Sequence, residues 1–140
     1  MHRETLEIDT DGRGFREITA DVRQIAARAG ISSGLCHLFI LHTSASLLVT
    51  ENADPDVLRD LATFINGLVP DDDPRYVHTA EGSDDMSAHV KCALTQTSLT
   101  LPVADSRLLL GTWQGIFIWE HRVRAHTRKL VVTIMDAGKG

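Results

Sequence analysis

Histidines and carboxylates of the kind that bind metals or move protons are concentrated at 78–89. His78 comes first, the pair Asp84 and Asp85 follows, and His89 lies four residues after Asp85. In a helix that begins near Asp85, this aspartate and His89 share one face. Imidazole and carboxylate groups are ligands for zinc or manganese, and paired aspartates can hold magnesium against a diphosphate. The alternative is a capping role, because aspartate is common at the start of a helix.

A second polar group interrupts an apolar stretch at 42–46, where the sequence reads HTSAS. Polar groups at such a place must be hydrogen-bonded if they are buried. His42 with Ser44 or Ser46 suggests a base and a nucleophile, but no oxyanion-forming loop or sharp strand-to-helix motif accompanies them. We therefore do not expect a serine hydrolase, and hydrogen-bonded turn residues are the alternative.

A third polar group lies between two glycines, at 112–114, and leads to Glu120. Glycines in a strand context predict a bulge or a close approach of backbone or ligand, with a tight turn and a core tryptophan as the alternative. Glu120 ends an apolar run, so its carboxylate needs a partner if it is buried. The side chains that could pair with Glu120 or receive a phosphate are Arg122, Arg124, His126 and Arg128. A solvated basic hairpin is the alternative for this cluster.

Three helices are predicted to position these groups. Thr19 is a candidate cap for the first, and Asp54 followed by Pro55 marks the start of the second. A third helix is predicted at 86–94, after a polar surface loop at 70–85. The buried stripe predicted for the second helix consists of Val57, Leu58, Leu61, Ile65 and Leu68.

Alternating and apolar runs predict the strands 3–8, 15–18, 35–41, 46–50, 98–103, 107–110, 115–120 and 129–135. The second is expected to return along the first. The run at 35–41 is nearly all apolar, as in a strand that is covered on both faces, and 46–50 is expected to continue it or pair with it. This order of elements predicts one α+β domain over 1–140, with a mixed or largely antiparallel sheet.

Composition narrows the class of partner. The formal net charge is −5, so we expect neither nucleic acid nor an anionic membrane as the main partner, and a small molecule or a protein instead. No apolar stretch approaches the ~20 residues of a membrane span, and the first residues lack a signal-peptide pattern, which predicts a cytoplasmic protein. Cys36 and Cys92 are expected to be reduced core residues.

Taken together, the motifs resemble the family often called secondary thiamine-phosphate synthase enzymes, or YjbQ-type proteins. The matching segments are HTSA at 42–45, ENADPDV at 51–57, HTAEGSDD at 78–85, AH at 88–89 and LGTWQG at 110–115. The resemblance implies a mixed sheet curled into a half-barrel around a helix, and a homotrimer. One departure concerns the loop after Glu120, where many members carry an aromatic-Asp-Gly-Pro-Arg run and this chain carries HRVRAHTR.

The resemblance also implies one shared pocket, made by one chain or at a subunit boundary. Its expected catalytic residues are His42, Asp85, His89 and Glu120. Its expected metal ligands are His42, His78, Asp84 and His89, for Mg²⁺ or Zn²⁺, and no organic cofactor is expected. The residues expected to bind the substrate or its phosphates are Ser44, Asn52, Thr112, Trp113, Gln114, Arg122 and Arg128.

Three functions follow as hypotheses. The resemblance implies a weak or secondary thiamine-phosphate synthase, a transferase that joins hydroxymethylpyrimidine diphosphate to thiazole phosphate and releases diphosphate. In that reaction, Asp84 and Asp85 would hold magnesium on the diphosphate. The residue types themselves also suit a metal-dependent hydrolase with an open position for water. The third hypothesis is a non-enzymatic trimer that binds a small phosphorylated metabolite.

Overall fold

The computed structural model describes residues 1–138, and this part of the chain contains eight strands and three helices. In chain order they are β1 His2–Asp9, β2 Gly14–Glu17, α1 Thr19–Arg28, β3 Ser33–Ile40, β4 Ala45–Glu51, α2 Pro55–Leu68, α3 Asp85–Leu94, β5 Ser98–Ala104, β6 Arg107–Leu108, β7 Gln114–Glu120 and β8 Thr127–Asp136. The predicted long loop lies between α2 and α3. Each predicted strand and helix is present, and the main differences concern which strands pair.

The strands form two sheets. Sheet A has the order β1-β8-β3-β5-β6 and curls into a half-barrel, while sheet B has the order β2-β7-β4. Every pair between the described strands is antiparallel. The α+β class and the half-barrel are therefore confirmed, and of the two sheet types left open the antiparallel one is observed in place of a mixed sheet. The homotrimer is not tested by a single chain and stays a prediction.

The core lies between the inner faces of the two sheets and α1. Val22 and Ile25 of α1 are fully buried, as are Leu38 of β3 and Leu130 of β8. Burying one such side chain contributes about 1.5–3 kcal/mol, so this shared cluster is the main force that holds α1 inside the half-barrel.

Two predicted strand pairings are wrong. β4 pairs with β7, with Ala45 opposite Glu120, and does not pair with β3. β2 also pairs with β7, whereas β1 pairs with β8. The chain passes from sheet A to sheet B after β1, after β3 and after β6, because each sheet must supply an apolar inner face to the core.

The residues predicted to cap α1 and α2 behave differently. The cap of α2 is a local contact, whereas the residue at the start of α1 makes tertiary contacts instead. Asp54 caps α2 as predicted, since its carboxylate accepts a hydrogen bond from Asp56 N–H at 2.9 Å. Thr19 does not cap α1: its hydroxyl accepts from Ile116 N–H at 2.9 Å and donates to Glu17. Thr19 therefore ties α1 to sheet B.

The apolar stripe of α2 is less buried than predicted. Ile65 is 7% exposed, but Leu68 is 58% exposed, and Phe64 beside the stripe is 68% exposed. Cys36 and Cys92 are buried and unpaired with each other, which confirms them as reduced core residues. Among residues 1–138, no helix has both the length and the apolar character needed to cross a membrane.

Candidate functional site

The amino end of α3 and the loop before it bring His78, Asp85 and His89 together. Asp85 is the first residue of α3, and His89 follows one turn later on the same face. His78 comes from the loop, which Arg13 anchors by donating two hydrogen bonds to the Asp71 carboxylate at 2.9 and 3.0 Å. The helix thus fixes two of the three side chains, and the anchored loop supplies the third.

Both imidazoles face the same carboxylate oxygen. His78 Nε2 lies 2.7 Å from Asp85 Oδ2, and His89 Nε2 lies 3.2 Å from it. The potential ligand atoms of the three residues all lie within 4.8 Å of one another. Asp85 is 4% exposed, whereas His78 is exposed and His89 is half-buried. We call His78, Asp85, His89 and their neighbour Arg122 the Asp85 centre.

The orientation of His89 is set by the backbone. Its Nδ1 lies 2.9 Å from the carbonyl oxygen of Thr43, which can only accept, so Nδ1 carries a proton. In a neutral imidazole, Nε2 then carries a lone pair that points toward a lone pair of Asp85 Oδ2. These two lone pairs repel each other unless a proton or a cation lies between them. A histidine that donates one N–H to a carbonyl and points its other nitrogen at a carboxylate has the arrangement common among metal ligands.

Arg122 holds both aspartates. Its Nη1 donates to Asp85 Oδ1 at 2.7 Å and its Nε donates to Asp84 Oδ2 at 3.0 Å. Asp84 also accepts from Val123 N–H at 2.8 Å. Arg122, expected to bind phosphate, therefore orients carboxylates here. Asp84, expected to bind metal, is engaged by Arg122 and lies outside the group of possible ligands, in which Asp85 takes its place.

The same contacts keep the aspartates ionised. Burial is the largest influence on Asp85 and raises its pKa, but the hydrogen bond from His78 and the nearby His89 and Arg122 outweigh it and hold the pKa below its usual value. For Asp84, burial again raises the pKa, but the hydrogen bond from Val123 N–H and the nearby Arg122 lower it below its usual value. An ionised Asp85 is the form that a metal requires.

Glu120 lies in a second, closed cluster. It is fully buried and accepts hydrogen bonds from Arg128, from Thr10 at 2.7 Å and from Arg122 N–H at 3.2 Å. Burial raises the pKa of Glu120, but these donors, Arg128 foremost, lower it below its usual value. Arg128 also donates to Ser44 Oγ at 3.0 Å. We call Glu120, Arg128, Thr10 and Ser44 the Glu120 centre.

Three predicted site residues are buried in this second cluster. Glu120 and Arg128 are 0% and 3% exposed, and Ser44 is 9% exposed, so a substrate does not reach them in this conformation. Their contacts are those of a buried ion pair with its hydrogen bonds satisfied. The geometry therefore favours a structural role over the catalytic role expected for Glu120 and the phosphate-binding role expected for Arg128.

His42 lies between the two centres. Its Nε2 accepts from Lys129 N–H at 2.7 Å, and its Nδ1 lies 3.3 Å from Arg128 Nη1. Burial, and after it the charge of Arg128, lowers the pKa of His42. The nitrogen that would bind a metal is thus occupied, and His42 is outside the group of possible ligands. It shares a cleft with His89, so a role toward substrate stays a prediction.

Two clefts flank the Asp85 centre. The first, with a volume of about 530 Å³, is lined by His42, Thr43, His89, Cys92, Ala93, Thr95 and Thr97. The second, of about 410 Å³, is lined by Glu81, Gly82, Ser83, Asp84, Arg122, Val123 and Arg124. Each volume falls in the range of small-molecule sites.

Asn52, Thr112, Trp113 and Gln114 lie elsewhere in the chain. Gln114 and Glu120 are the two ends of β7, which places them about 20 Å apart at ~3.3 Å per residue. Asn52 N–H donates to the Trp113 carbonyl at 3.0 Å. One chain therefore does not bring these four residues to the Asp85 centre, and the single shared pocket is not formed within it.

The turn that precedes β7 is rigidly built. The side-chain oxygen of Gln114 accepts from Gly111 N–H at 2.7 Å, and a Cβ at Gly115 would lie 2.9 Å from Asn52 Nδ2. The close approach predicted from the glycines is confirmed. Trp113 is 61% exposed, so the alternative of a core tryptophan is wrong.

Other buried polar contacts were not predicted. Ser46 Oγ lies 2.8 Å from His121 Nε2, and Lys91 Nζ donates to Asn66 at 2.7 Å. His121 and Lys91 are each 1% exposed. His121 directly follows Glu120, but its partner is 75 positions away, so no local pattern identifies the pair.

The fold and the Asp85 centre together define a class: α+β proteins with a half-barrel sheet and a His/Asp cluster at the amino end of one helix. The family model described as "UPF0047 protein YjbQ-like" matches residues 4–137. The chain belongs to this family.

Relatives match along nearly the whole chain. UPF0047 protein sll1880 of Synechocystis sp. is 50% identical over 134 residues, which cover 96% of this chain and 91% of that protein. UPF0047 protein YjbQ of Escherichia coli O157:H7 is 41% identical over 134 residues, which cover 95% of this chain and 96% of that protein.

Solved structures agree with the fold. The hypothetical protein APE1520 of Aeropyrum pernix K1 matches with a TM-score of 0.88 at 26% identity, covering 97% of this chain and 99% of that one. The conserved hypothetical protein TT1486 of Thermus thermophilus matches with a TM-score of 0.83 at 36% identity, covering 94% and 99%. Kinship of fold does not determine chemistry, because function resides in the site.

Proposed function

We propose that this protein is a metal-dependent hydrolase that binds a transition-metal ion on His78, Asp85 and His89 and acts on a small phosphorylated metabolite. The observation that carries the proposal is the convergence of two imidazole nitrogens on one oxygen of Asp85, at 2.7 and 3.2 Å. Three protein ligands with an open side are typical of catalytic zinc sites, which bind water in the fourth position.

The ligand set favours zinc over magnesium. Two imidazoles and one carboxylate suit zinc and related transition metals, whereas magnesium prefers oxygen ligands. The surrounding contacts are of the supporting kind, since Thr43 fixes His89 and Arg122 fixes Asp85. A zinc ion held by His78, Asp85 and His89 would supply a hydroxide nucleophile at neutral pH.

The two clefts support the choice of a phosphorylated substrate. The smaller one, at the amino end of α3, is lined by Arg124, a cation that can meet a phosphate, and by Arg122, whose guanidinium already pairs with the two aspartates. The larger cleft, beside His89, has room for the rest of a small metabolite. In hydrolysis, water adds to phosphorus, the ester bond breaks, and the alcohol leaves with a proton.

Thiamine-phosphate synthesis is the narrower alternative. Its magnesium would need Asp84 as well as Asp85, and the Asp84 carboxylate is already engaged by Arg122 and by Val123 N–H, whereas the zinc site needs only Asp85. This engagement favours the hydrolase. The non-enzymatic alternative shares the same ligand site and differs only in the absence of turnover.

The test is a metal titration of tag-free protein purified without nickel resin. We expect about one zinc per chain by elemental analysis, and affinity in a chelator competition that falls at least ~100-fold in His89→Ala. His2→Ala is the matched control, because His2 is similarly half-buried but lies on β1, away from the cluster. Absence of stoichiometric metal from wild-type protein, or its retention by His89→Ala, would contradict the proposal.

Turnover is tested with the zinc-loaded protein on a panel of phosphate monoesters, with hydroxymethylpyrimidine diphosphate plus thiazole phosphate as comparator. We expect phosphate release that depends on zinc and is lost in His89→Ala. Condensation without phosphomonoester hydrolysis would support the thiamine reaction instead, and saturable binding with no product from any substrate would support the binding protein.

A further inference from the structure

A third cleft lies between α1 and the hairpin that β5 and β6 form, away from the Asp85 centre. Its volume is about 300 Å³, and its lining residues are Arg23, Ala27, Ser106, Arg107 and Leu108. The strand β5 runs from the cleft beside His89 toward this one, and its seven residues place the two clefts about 20 Å apart. We call this separate cavity the Arg23–Arg107 cleft.

Both walls of the Arg23–Arg107 cleft are fixed by the fold. Arg23 and Ala27 are four residues apart on α1 and therefore share one helical face. On the other side, Asp105 and Ser106 form a two-residue hairpin turn in which both have positive φ, 50° and 58°, as a type I′ turn requires. Ser106 N–H donates to the Ser32 carbonyl at 3.2 Å, which ties this turn to the segment before β3.

The two arginines of the cleft lack a carboxylate partner. Arg13 and Arg128 each form an ion pair with an acidic side chain. Within residues 1–138, Arg23 and Arg107 form none, and both are exposed. Arg107 lies opposite Ala104 in the hairpin. No acidic residue lies three or four positions from Arg23 on α1, because those positions hold Thr19, Ala20, Ala26 and Ala27.

Two positive charges thus line one cleft of a chain whose formal net charge is −5. Like charges repel each other, and an anion bound between them removes that repulsion. Guanidinium groups bind both carboxylate and phosphate through paired N–H donors. One guanidinium satisfies the two oxygens of a carboxylate, whereas a phosphate can accept from both arginines and from the Ser106 hydroxyl at once. The donors of the cleft therefore suit a phosphate better than a carboxylate.

The floor of the cleft is apolar. Leu108 is 8% exposed and belongs to the hydrophobic core, and Ala27 lines the cleft from α1. An apolar group of a ligand gains stability by covering such a surface, because it removes that surface from water. A volume of about 300 Å³ is within the range of small-molecule sites, which leaves room for an organic group beside the phosphate.

We propose that the Arg23–Arg107 cleft binds a small organic phosphate. Its phosphate group is held by Arg23, Arg107 and the Ser106 hydroxyl, and its apolar part lies on Leu108 and Ala27. The proposal does not depend on the Asp85 centre, since no residue of that centre lines this cleft. One chain can therefore bind a second phosphorylated molecule in addition to the substrate proposed above.

The test is a titration of zinc-free protein with phenyl phosphate, followed by backbone amide NMR. We expect saturable shifts at Ala27, Ser106 and Arg107. Arg23→Gln and Arg107→Gln should each weaken binding about 10–100-fold, the usual effect of losing a charge-assisted hydrogen bond. Arg59→Gln is the matched control and should bind as the wild-type protein does, because it removes the same charge from an exposed arginine on α2.

Two further probes test the class of ligand. Benzoate has the same ring but carries a carboxylate, and inorganic phosphate lacks the ring. Each should bind at least ~10-fold more weakly than phenyl phosphate, because each loses one of the two kinds of contact. Absence of saturable shifts at Ser106 and Arg107 would overturn the proposal. So would wild-type affinity in either variant of the cleft arginines, or a second probe that binds as tightly as phenyl phosphate.

The variant Arg124→Gln separates this cleft from the one beside Asp84, which Arg124 lines. Shifts at Ser83 and Val123 report on that cleft, whereas shifts at Arg107 report on this one. In Arg124→Gln, the shifts at Arg107 and their midpoint should be unchanged. Their loss would show that they arise from binding beside Asp84 and would also contradict the proposal. Because the protein is free of zinc, failure of the metal proposal leaves this result unaffected.

Discussion

Asp85 and Glu120 each accept hydrogen bonds from an arginine, Arg122 in one case and Arg128 in the other. Only Asp85 also faces two histidine side chains that water can reach, at 48% and 30% exposure. Glu120 has its remaining hydrogen bonds with Thr10 and the Arg122 N–H, a single histidine, His126, lies near it at 3.8 Å, and it has no exposed surface.

The difference shows that a carboxylate paired with an arginine can either stabilise the fold or hold a ligand. In the Glu120 centre, each oxygen of the carboxylate already accepts hydrogen bonds from protein donors, so neither is free to bind a ligand. In the Asp85 centre, one oxygen is held by Arg122 while the other is shared by two imidazoles, which leaves a place for a cation. We therefore expect substitutions in the first centre to change stability and those in the second to change metal binding.

Glu120→Ala should have the largest effect. Removal of this carboxylate leaves the Arg128 charge buried without its partner, which costs about 3–5 kcal/mol in such pairs. The free energy of unfolding, measured by denaturant titration, should fall by that amount. Asp85→Ala is the comparison variant and should lose less, because water can reach its centre. Equal losses in the two variants would remove the distinction between the centres.

Arg122→Gln should weaken zinc binding about 10–100-fold, the usual effect of losing a group that orients a metal ligand. Chelator competition measures this change. Arg124→Gln is the matched control, since Arg124 lines the same cleft but has no described contact with Asp85. If Arg122→Gln bound zinc as tightly as the wild-type protein, Arg122 would have no role in orienting Asp85.

The histidine next to Glu120 provides a pH test. Burial, followed by the charge of Lys91, lowers the pKa of His121 from 6.5 to about 3. Between these values the unfolded chain takes up a proton that the folded chain does not, so stability falls as the pH falls. His121 alone is expected to contribute a slope of about 1.4 kcal/mol per pH unit between about pH 6 and pH 4.5, a range above the titration of most carboxylates, and His42 adds to the slope because its pKa is also lowered.

Urea unfolding at a series of pH values measures this slope. His121→Gln should reduce the slope by about the contribution of His121, while His37→Gln should not change it, because His37 lies on the outer face of sheet A. An unchanged slope in His121→Gln would mean that His121 is not the group responsible.

Local rules predicted much of the fold. The Asp54-Pro55 start of α2, the strand positions and the α+β class all depend on nearby residues, and all are confirmed. Strand pairing was not predictable in the same way. The partners of β4 and β2 both lie on β7, far along the chain, and the choice depends on which apolar faces close the core.

The candidate site was also predicted in part, where local spacing sufficed. The spacing of Asp85 and His89 determined that they share a helical face, because the period of the α-helix places residues four apart on one side. The sequence also determined the two-sided apolar character of β3. Only the tertiary structure decided that His78 joins Asp85, that Asp84 is taken by Arg122, and that Gln114 lies about 20 Å from Glu120 along β7. These outcomes depend on contacts between distant segments, whose geometry no local period encodes.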